Sequence, residues 1–248
     1  MPAESLAKKS ERARKIIARL RRTHPDARLA LTFRSPFELL VALILAAQCT
    51  DQKVNEVTSL LFEKYRSPED LLGVPSGELE ADIRPTGFFR SKAKAIRGCC
   101  QALVDRHAGE VPVRLDDLLS LPGVGRKTGN ILLGNAFGQP ALGVDTHVMR
   151  LGQRLGLSRH TDPDKIEADL TRIVPREHWI RFCHLMQFHG RRVCLARTPK
   201  CAACTVAALC PYPQKTTAEG SLRGRTRSTP RPVWFRRPAG SRATRRSR

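Results

Sequence analysis

Four cysteines, Cys194, Cys201, Cys204 and Cys210, follow the spacing C-x6-C-x2-C-x5-C. The close pair forms a chelating turn, and two further thiolates complete a zinc shell or hold an iron–sulfur cube; spacing alone leaves both open. A second constellation lies upstream. Leu121-Pro122-Gly123-Val124-Gly125-Arg126-Lys127-Thr128 separates two segments of helical apolar periodicity. Pro122 ends the first, Gly123 and Gly125 permit backbone conformations closed to residues with a Cβ, and Val124 plugs the turn between them. The expected product is helix, tight hairpin, helix, with the hairpin amides and the second helix's N-terminus turned toward a phosphate oxygen. Taken alone, Lys127 reads as a phosphate contact. Asp145, in VDTHVMR, reads locally as the N-cap of a following helix.

The elements that must position these residues are helical. Apolar residues recur at helical spacing in Arg12–Arg22, from Pro36 to Leu45, and through Val54, Val57, Leu60 and Leu61 with Asp51 as the cap. Ser67 and Ser76 open short helices. Ser91–His107, Leu115–Leu119, Thr128–Phe137, Thr146–Leu155, Pro163–Ile173 and Trp179–Gly190 continue the pattern. No alternating stretch of strand length and no long repeat is present.

Composition narrows the class of partner. The 248 residues carry 44 Lys and Arg against 23 Asp and Glu, a formal charge of +21 that calls for a polyanion. Eleven of the basic residues and a single acid fall between Lys215 and Arg248, a stretch of Arg, Ser, Thr, Pro and Gly expected to be disordered. The remainder is basic without it. A hydrophobic fraction of 41% excludes a wholly disordered chain. The longest apolar run, Leu39–Ala47, is about half of the ~18 residues a membrane span needs. The N-terminal segment is rich in Lys and Arg and has no apolar secretory core, so an intracellular, cytoplasmic protein without a membrane partner is expected. In that compartment cysteines serve as metal ligands or buried thiols, and Cys49, Cys99, Cys100 and Cys183 are expected to be the latter.

LPGVGRKTGNILLGNAFG followed by GVDTHVMRL, with LILAAQCTD at Leu43–Asp51 and TGFFRSKA at Thr86–Ala93, resembles the endonuclease III family of helix-hairpin-helix DNA glycosylases. The resemblance extends from about Arg12 to Pro211 and does not include the basic tail. It implies a bifunctional DNA glycosylase and abasic-site lyase of base excision repair acting on oxidised pyrimidines. Its partner would be double-stranded DNA containing damaged bases or abasic sites, met by a monomer. It implies that Lys127 is the amine that attacks the sugar C1′, forming a Schiff base from which the 3′ phosphate is eliminated. A lysine must be uncharged to attack. The helix N-terminus, Arg126 and exclusion of water favour the free amine, while DNA phosphates and a nearby carboxylate oppose it. Asp145 becomes the catalytic carboxylate that stabilises positive charge at C1′. His147 is expected to pack or support. The damaged nucleotide must leave the stack. Gln48 matches the family's inserted glutamine. Phe88 falls where relatives often carry a leucine wedge, and its neighbour Phe89 is the alternative.

The resemblance also assigns a [4Fe–4S] cluster to the four cysteines, structural and electrostatic in role. Arg191, Arg197 and Lys200 around it would meet phosphates, as would Gly123, Val124, Gly125 and Arg126 at the hairpin. Gly129 departs from the alanine general among relatives, at a cost of ~1 kcal/mol in a helix. The expected architecture is all-α and two-lobed. An N-terminal helix in 1–28 joins a cluster domain at 140–213, a six-helix barrel-like domain fills 29–139, and the basic tail occupies 214–248. Two other readings use the same features. A monofunctional mismatch glycosylase shares hairpin and cluster but typically lacks the lysine. A non-enzymatic nucleic-acid-binding module with a structural metal leaves Lys127 and Asp145 as coincidence.

Overall fold

The computed structural model describes residues 4–216, so the expected disordered tail beyond Thr216 lies outside the described residues. Eleven α-helices and no strand occur among the described residues: α1 (Leu6–Thr23), α2 (Pro36–Leu45), α3 (Asp51–Lys64), α4 (Pro68–Gly73), α5 (Ser76–Ile83), α6 (Phe89–His107), α7 (Leu115–Leu119), α8 (Arg126–Phe137), α9 (Thr146–Arg154), α10 (Pro163–Ile173) and α11 (Trp179–Arg192). Side-chain oxygens of Ser5, Ser35, Thr50, Ser67, Asp145 and Asp162 cap α1, α2, α3, α4, α9 and α10. Each satisfies a first-turn N–H that the helix cannot.

Two apolar cores form. One runs from Leu31 to Ala141 and centres on α2, with Leu39, Leu40 and Leu45 fully buried. The other gathers Ala13, Ile16, Ile17, Leu20 and Ala27 from the N-terminal end with residues from Leu142 to Val206. The molecule is thus all-helical and two-lobed. The chain enters the second lobe, leaves it for the first, and returns.

Several element ends differ from the sequence reading. Helix α6 begins at Phe89 rather than Ser91. Helix α1 begins at Leu6 rather than Arg12, because Ser5 caps it and its first turns bury nothing apolar, which hides them from a periodicity reading. Thr50, not Asp51, caps α3; Asp51 sits inside the first turn. Helix α8 begins at Arg126 rather than Thr128, so Lys127 belongs to the helix's first turn, not to the hairpin.

Candidate active site

The hairpin joins α7 to α8. Gly123 adopts φ +81°, and a Cβ there would stand 3.0 Å from the Ala95 Cβ, so both conformation and space require glycine. Val124 is buried and its N–H donates to the Leu121 carbonyl at 3.1 Å. Gly125 is the N-cap of α8 and supplies no side-chain oxygen, leaving the first-turn amides without a side-chain cap. A Cβ on Gly125 would meet nothing within 4 Å: the turn is open on that side.

Lys127 is exposed, and among the described residues its amine makes no hydrogen bond or ion pair. Asp145 is half-buried at the head of α9. Its Oδ1 accepts the Val148 N–H at 2.7 Å, which leaves Oδ2 without a hydrogen-bond partner among the described residues. The N-cap reading of Asp145 therefore holds, and the cap fixes the carboxylate with one oxygen still available. Gly143 brings the segment before Asp145 against α8: a Cβ there would lie 3.0 Å from Ile131 Cγ1 and 3.4 Å from the Lys127 carbonyl oxygen. His147 senses both groups. Burial lowers its pKa first; Asp145 acts in the opposite direction, while Arg150, Arg191 and Lys127 lower it further. The Arg150 Nη2–H donates to His147 Nδ1 at 3.1 Å, so the neutral ring carries its proton on Nε2. A neutral imidazole adds no cation beside Lys127.

Arg126 does not stand free. It makes a two-pronged ion pair with Glu167 of α10 (2.7 and 3.0 Å), and Asp164 lies 3.6 Å away, so its charge reaches Lys127 partly offset. Arg191 is likewise paired, to Asp51 at 2.8 Å. Arg197 and Lys200 are exposed and have no anionic partner among the described residues. Gln48 is exposed with φ +54°. Phe88 is 64% exposed with φ +49°, whereas Phe89 packs against the first core between the guanidinium groups of Arg84 and Arg90. Of the two phenylalanines, Phe88 is the one presented to solvent.

The four cysteines of the C-terminal loop are half-buried free thiols. Cys204 is pushed up to about 11 by burial first, then by Cys194, Cys210 and Cys201, so thiolates held here repel one another and need a positive centre. Donors already point at two of the sulfurs. Arg154 Nη1 donates to Cys194 Sγ at 3.3 Å, and His189 Nε2 lies 3.4 Å from Cys204 Sγ. Behind it, His24 Nε2 lies 3.1 Å from His189 Nδ1, so one pair of neutral tautomers relays a single donor toward a Cys204 thiolate. Cys210 Sγ instead lies 3.4 Å from the Arg154 carbonyl, a contact suited to a thiol. Among the described residues no three Cys, His, Asp or Glu side chains are grouped as around a single metal ion. Of the remaining cysteines, Cys99, Cys100 and Cys183 are buried with pKa values pushed up to about 12, as inert thiols should be, while Cys49 is only half-buried.

Sequence reasoning missed the arginines that organise this loop. Arg150 and Arg154, one turn apart on α9, are both buried. Arg150 donates to the Gly190 and Cys194 carbonyls, and Arg154 to those of Leu195 and Ala196. Two arginines at i and i+4, next to the apolar stripe of an otherwise amphipathic helix, were the available signal. Gly190 makes room for them: a Cβ there would fall 2.6 Å from His147 Nδ1 and 2.9 Å from Arg150 Nη2.

Residues 41–176 match the family described as HhH-GPD superfamily base excision DNA repair protein. Endonuclease III of Synechocystis sp. is 48% identical over 210 residues, covering 84% of this chain and 96% of that protein. Two solved structures, a non-covalent endonuclease III–DNA complex and a trapped endonuclease III–DNA covalent intermediate with an estranged adenine, each superpose with a TM-score of 0.78 at 46% identity. They cover 82% of this chain and 95% and 96% of theirs. The chain belongs to the endonuclease III family, within the HhH-GPD superfamily of base excision DNA repair proteins.

Proposed function

We propose that the protein is a bifunctional DNA glycosylase and abasic-site lyase that removes oxidised pyrimidines from duplex DNA. The observation that carries this reading is the pairing of an exposed, unpartnered Lys127 amine in the first turn of α8 with an Asp145 carboxylate that keeps one oxygen free, both within the electrostatic reach of His147. The solved relatives described as a DNA complex and as a covalent DNA intermediate support it.

In the proposed reaction the hairpin amides and the open side of Gly125 receive a phosphate, and Gln48 and Phe88 occupy the space vacated by the extruded nucleotide. Lys127 Nζ forms a bond to C1′ as the bond to the base breaks, and the base departs with a proton. Asp145 stabilises the positive charge that builds at C1′ and accepts the proton released by the amine. The sugar ring then opens at C1′–O4′, with O4′ taking the proton held by Asp145, to give the protonated imine. This acidifies the C2′ hydrogen, whose loss breaks the C3′–O3′ bond and expels the 3′ phosphate, and water then frees Lys127. Arg197 and Lys200, free of anionic partners among the described residues, contact phosphates beyond the hairpin.

A [4Fe–4S] cluster on Cys194, Cys201, Cys204 and Cys210 fits the donor set, which is four thiols with donors from Arg154 and His189 and the buried charge of Arg150 around them. When bound it supplies a rigid, charged anchor for the loop that carries Arg197 and Lys200. An absorption band near ~400 nm that disappears on chelation would support it.

Borohydride trapping on an abasic duplex tests the enzymatic reading. Wild type forms a covalent adduct, Lys127→Ala forms none, and Asp145→Asn slows its formation by at least about a hundredfold. An adduct undiminished in Lys127→Ala rules the mechanism out. Base release without strand nicking would favour the monofunctional alternative.

A further inference from the structure

Lys92 lies in the first turn of α6 and is 4% exposed. Lysine is almost never buried so deeply unless something holds it. Here no carboxylate does so among the described residues. The Nζ donates to the Leu45 carbonyl and to the Thr86 carbonyl, each at 2.8 Å. Leu45 is the last residue of α2, three positions before Gln48; Thr86 is two positions before Phe88. A cation suits the first of these sites, because the C-terminal carbonyls of a helix carry the negative end of its dipole. Burial nevertheless pushes the amine below its ordinary value, so keeping it there is costly.

The two segments it joins share an unusual backbone. Gln48 and Phe88 are two of the three non-glycine residues with positive φ among the described residues; the third, Ala108, closes the C-terminal end of α6. Such conformations cost ~1–3 kcal/mol each and persist only where the surroundings over-determine them. Around Gln48 the local hydrogen bonds are sparse, with Ala47 N–H donating to Ile44 at 3.4 Å and Cys49 N–H to Ala46 at 3.2 Å. The two loops are far apart in sequence, and one ammonium binds both.

We propose that Lys92 is a positioning residue that ties the Gln48 loop to the Phe88 loop and thereby sets the spacing of the two side chains that enter the duplex. This rests on the reading of Gln48 and Phe88 given above. Lys92 is not a second nucleophile, since its amine is enclosed and spent on two carbonyls. Its role is to keep two strained residues aimed at one gap in the base stack.

The test separates filling a gap from chemistry. Lys92→Met keeps the aliphatic stem and removes the ammonium; Lys92→Gln keeps a shorter, neutral donor. Each is compared with wild type and with a Gln48→Ala/Phe88→Ala double variant on an abasic duplex and on an abasic single strand, which has no gap to fill. A 2-aminopurine opposite the abasic site reports the unstacked partner base. Lys92→Met is expected to lose about tenfold in kcat/KM on the duplex, mostly through KM, and most of the 2-aminopurine signal. Single-strand cleavage should stay within about twofold, and Lys92→Met should cost little more when added to the double variant. Lys92→Gln should fall between, and it decides the matter if Lys92→Met does not fold. Equal losses on both substrates, or an undiminished duplex rate, overturn the proposal. If the double variant is selectively impaired on the duplex and the Lys92 variants are not, only the role of Lys92 fails. If the double variant itself cleaves the duplex normally, the insertion reading fails, and the role of Lys92 with it.

Discussion

Gly129 shows how a single residue can look wrong in the sequence and have a reason in the fold. It lies in α8 two residues after Lys127, where glycine costs ~1 kcal/mol relative to alanine. The structure supplies the compensation: a Cβ at this position would stand 2.9 Å from Leu115 Cδ1, the far end of a half-buried side chain on α7. Because that end can swing aside, Gly129→Ala is expected to recover most of the helix propensity and raise Tm by up to about 3 °C, read from a thermal melt. A fall in Tm would mean that Leu115 cannot yield. Residue types and spacing singled out the four cysteines as a ligand set with zinc and iron–sulfur both open, whereas Lys127 and Asp145, locally a phosphate contact and an N-cap, were given chemistry only by the family resemblance. They could not reveal that Arg126 is taken up by Glu167, since ion pairing between distant segments leaves no mark on local sequence.

Helix α11 meets α8 through one neutral imidazole. His184 is buried, its Nε2 donates to Asn135 Oδ1 at 2.9 Å, and its Nδ1 has no partner among the described residues. Burial first, and then Arg181, push its pKa down to about 4 from 6.5. The unfolded chain therefore takes up this proton between pH 6.5 and 4 while the folded protein does not. The stabilisation is complete above pH 6.5 and is lost as pH falls toward 4, with a slope of up to ~1.4 kcal/mol per pH unit. His184→Gln should flatten the fall in urea midpoint between pH 7.5 and 5 relative to wild type, and unchanged slopes would refute the assignment. Helix existence was readable throughout from apolar spacing, and so were the starts at Pro36, Leu115, Thr146, Pro163 and Trp179, whereas those of α1, α3, α6 and α8 were not. Thr50 and Ser5 cap by side-chain geometry that competes with equally suitable neighbours, and the early turns of α1 bury nothing to betray them.

The chain is strongly basic, with a net charge of +21, yet among the described residues several of its cations are held in ion pairs. Among the described residues three ion pairs cross between the lobes: Arg126 of α8 with both Glu167 and Asp164 of α10, reinforced by Asn130 Nδ2 donating to Glu167 at 3.0 Å, and Arg191 of α11 with Asp51 of α3. Glu167 thus withholds an arginine from the face where the hairpin would meet phosphates. Glu167→Gln is expected to release Arg126, tighten binding to undamaged duplex at low salt, and steepen the salt dependence of log K by up to about one unit. A binding isotherm series from 50 to 200 mM salt checks this, and an unchanged slope would show that Arg126 stays bound to Asp164. The two-lobed division was readable only through family resemblance, because nothing in the periodicity of α1 says which core its apolar face joins.

That division has a consequence for how the chain is made. The apolar stripe of α1, Ala13, Ile16, Ile17 and Leu20, packs against residues from Leu142 onward, while the buried apolar residues from Leu31 to Ala141 belong to the other core. Helix α1 is therefore synthesised before the residues that cover its apolar stripe, with the whole of the other core made in between. The highly charged outer face of α1, with Lys8, Lys9, Arg14, Lys15 and Arg21, keeps that nascent end in water until translation catches up.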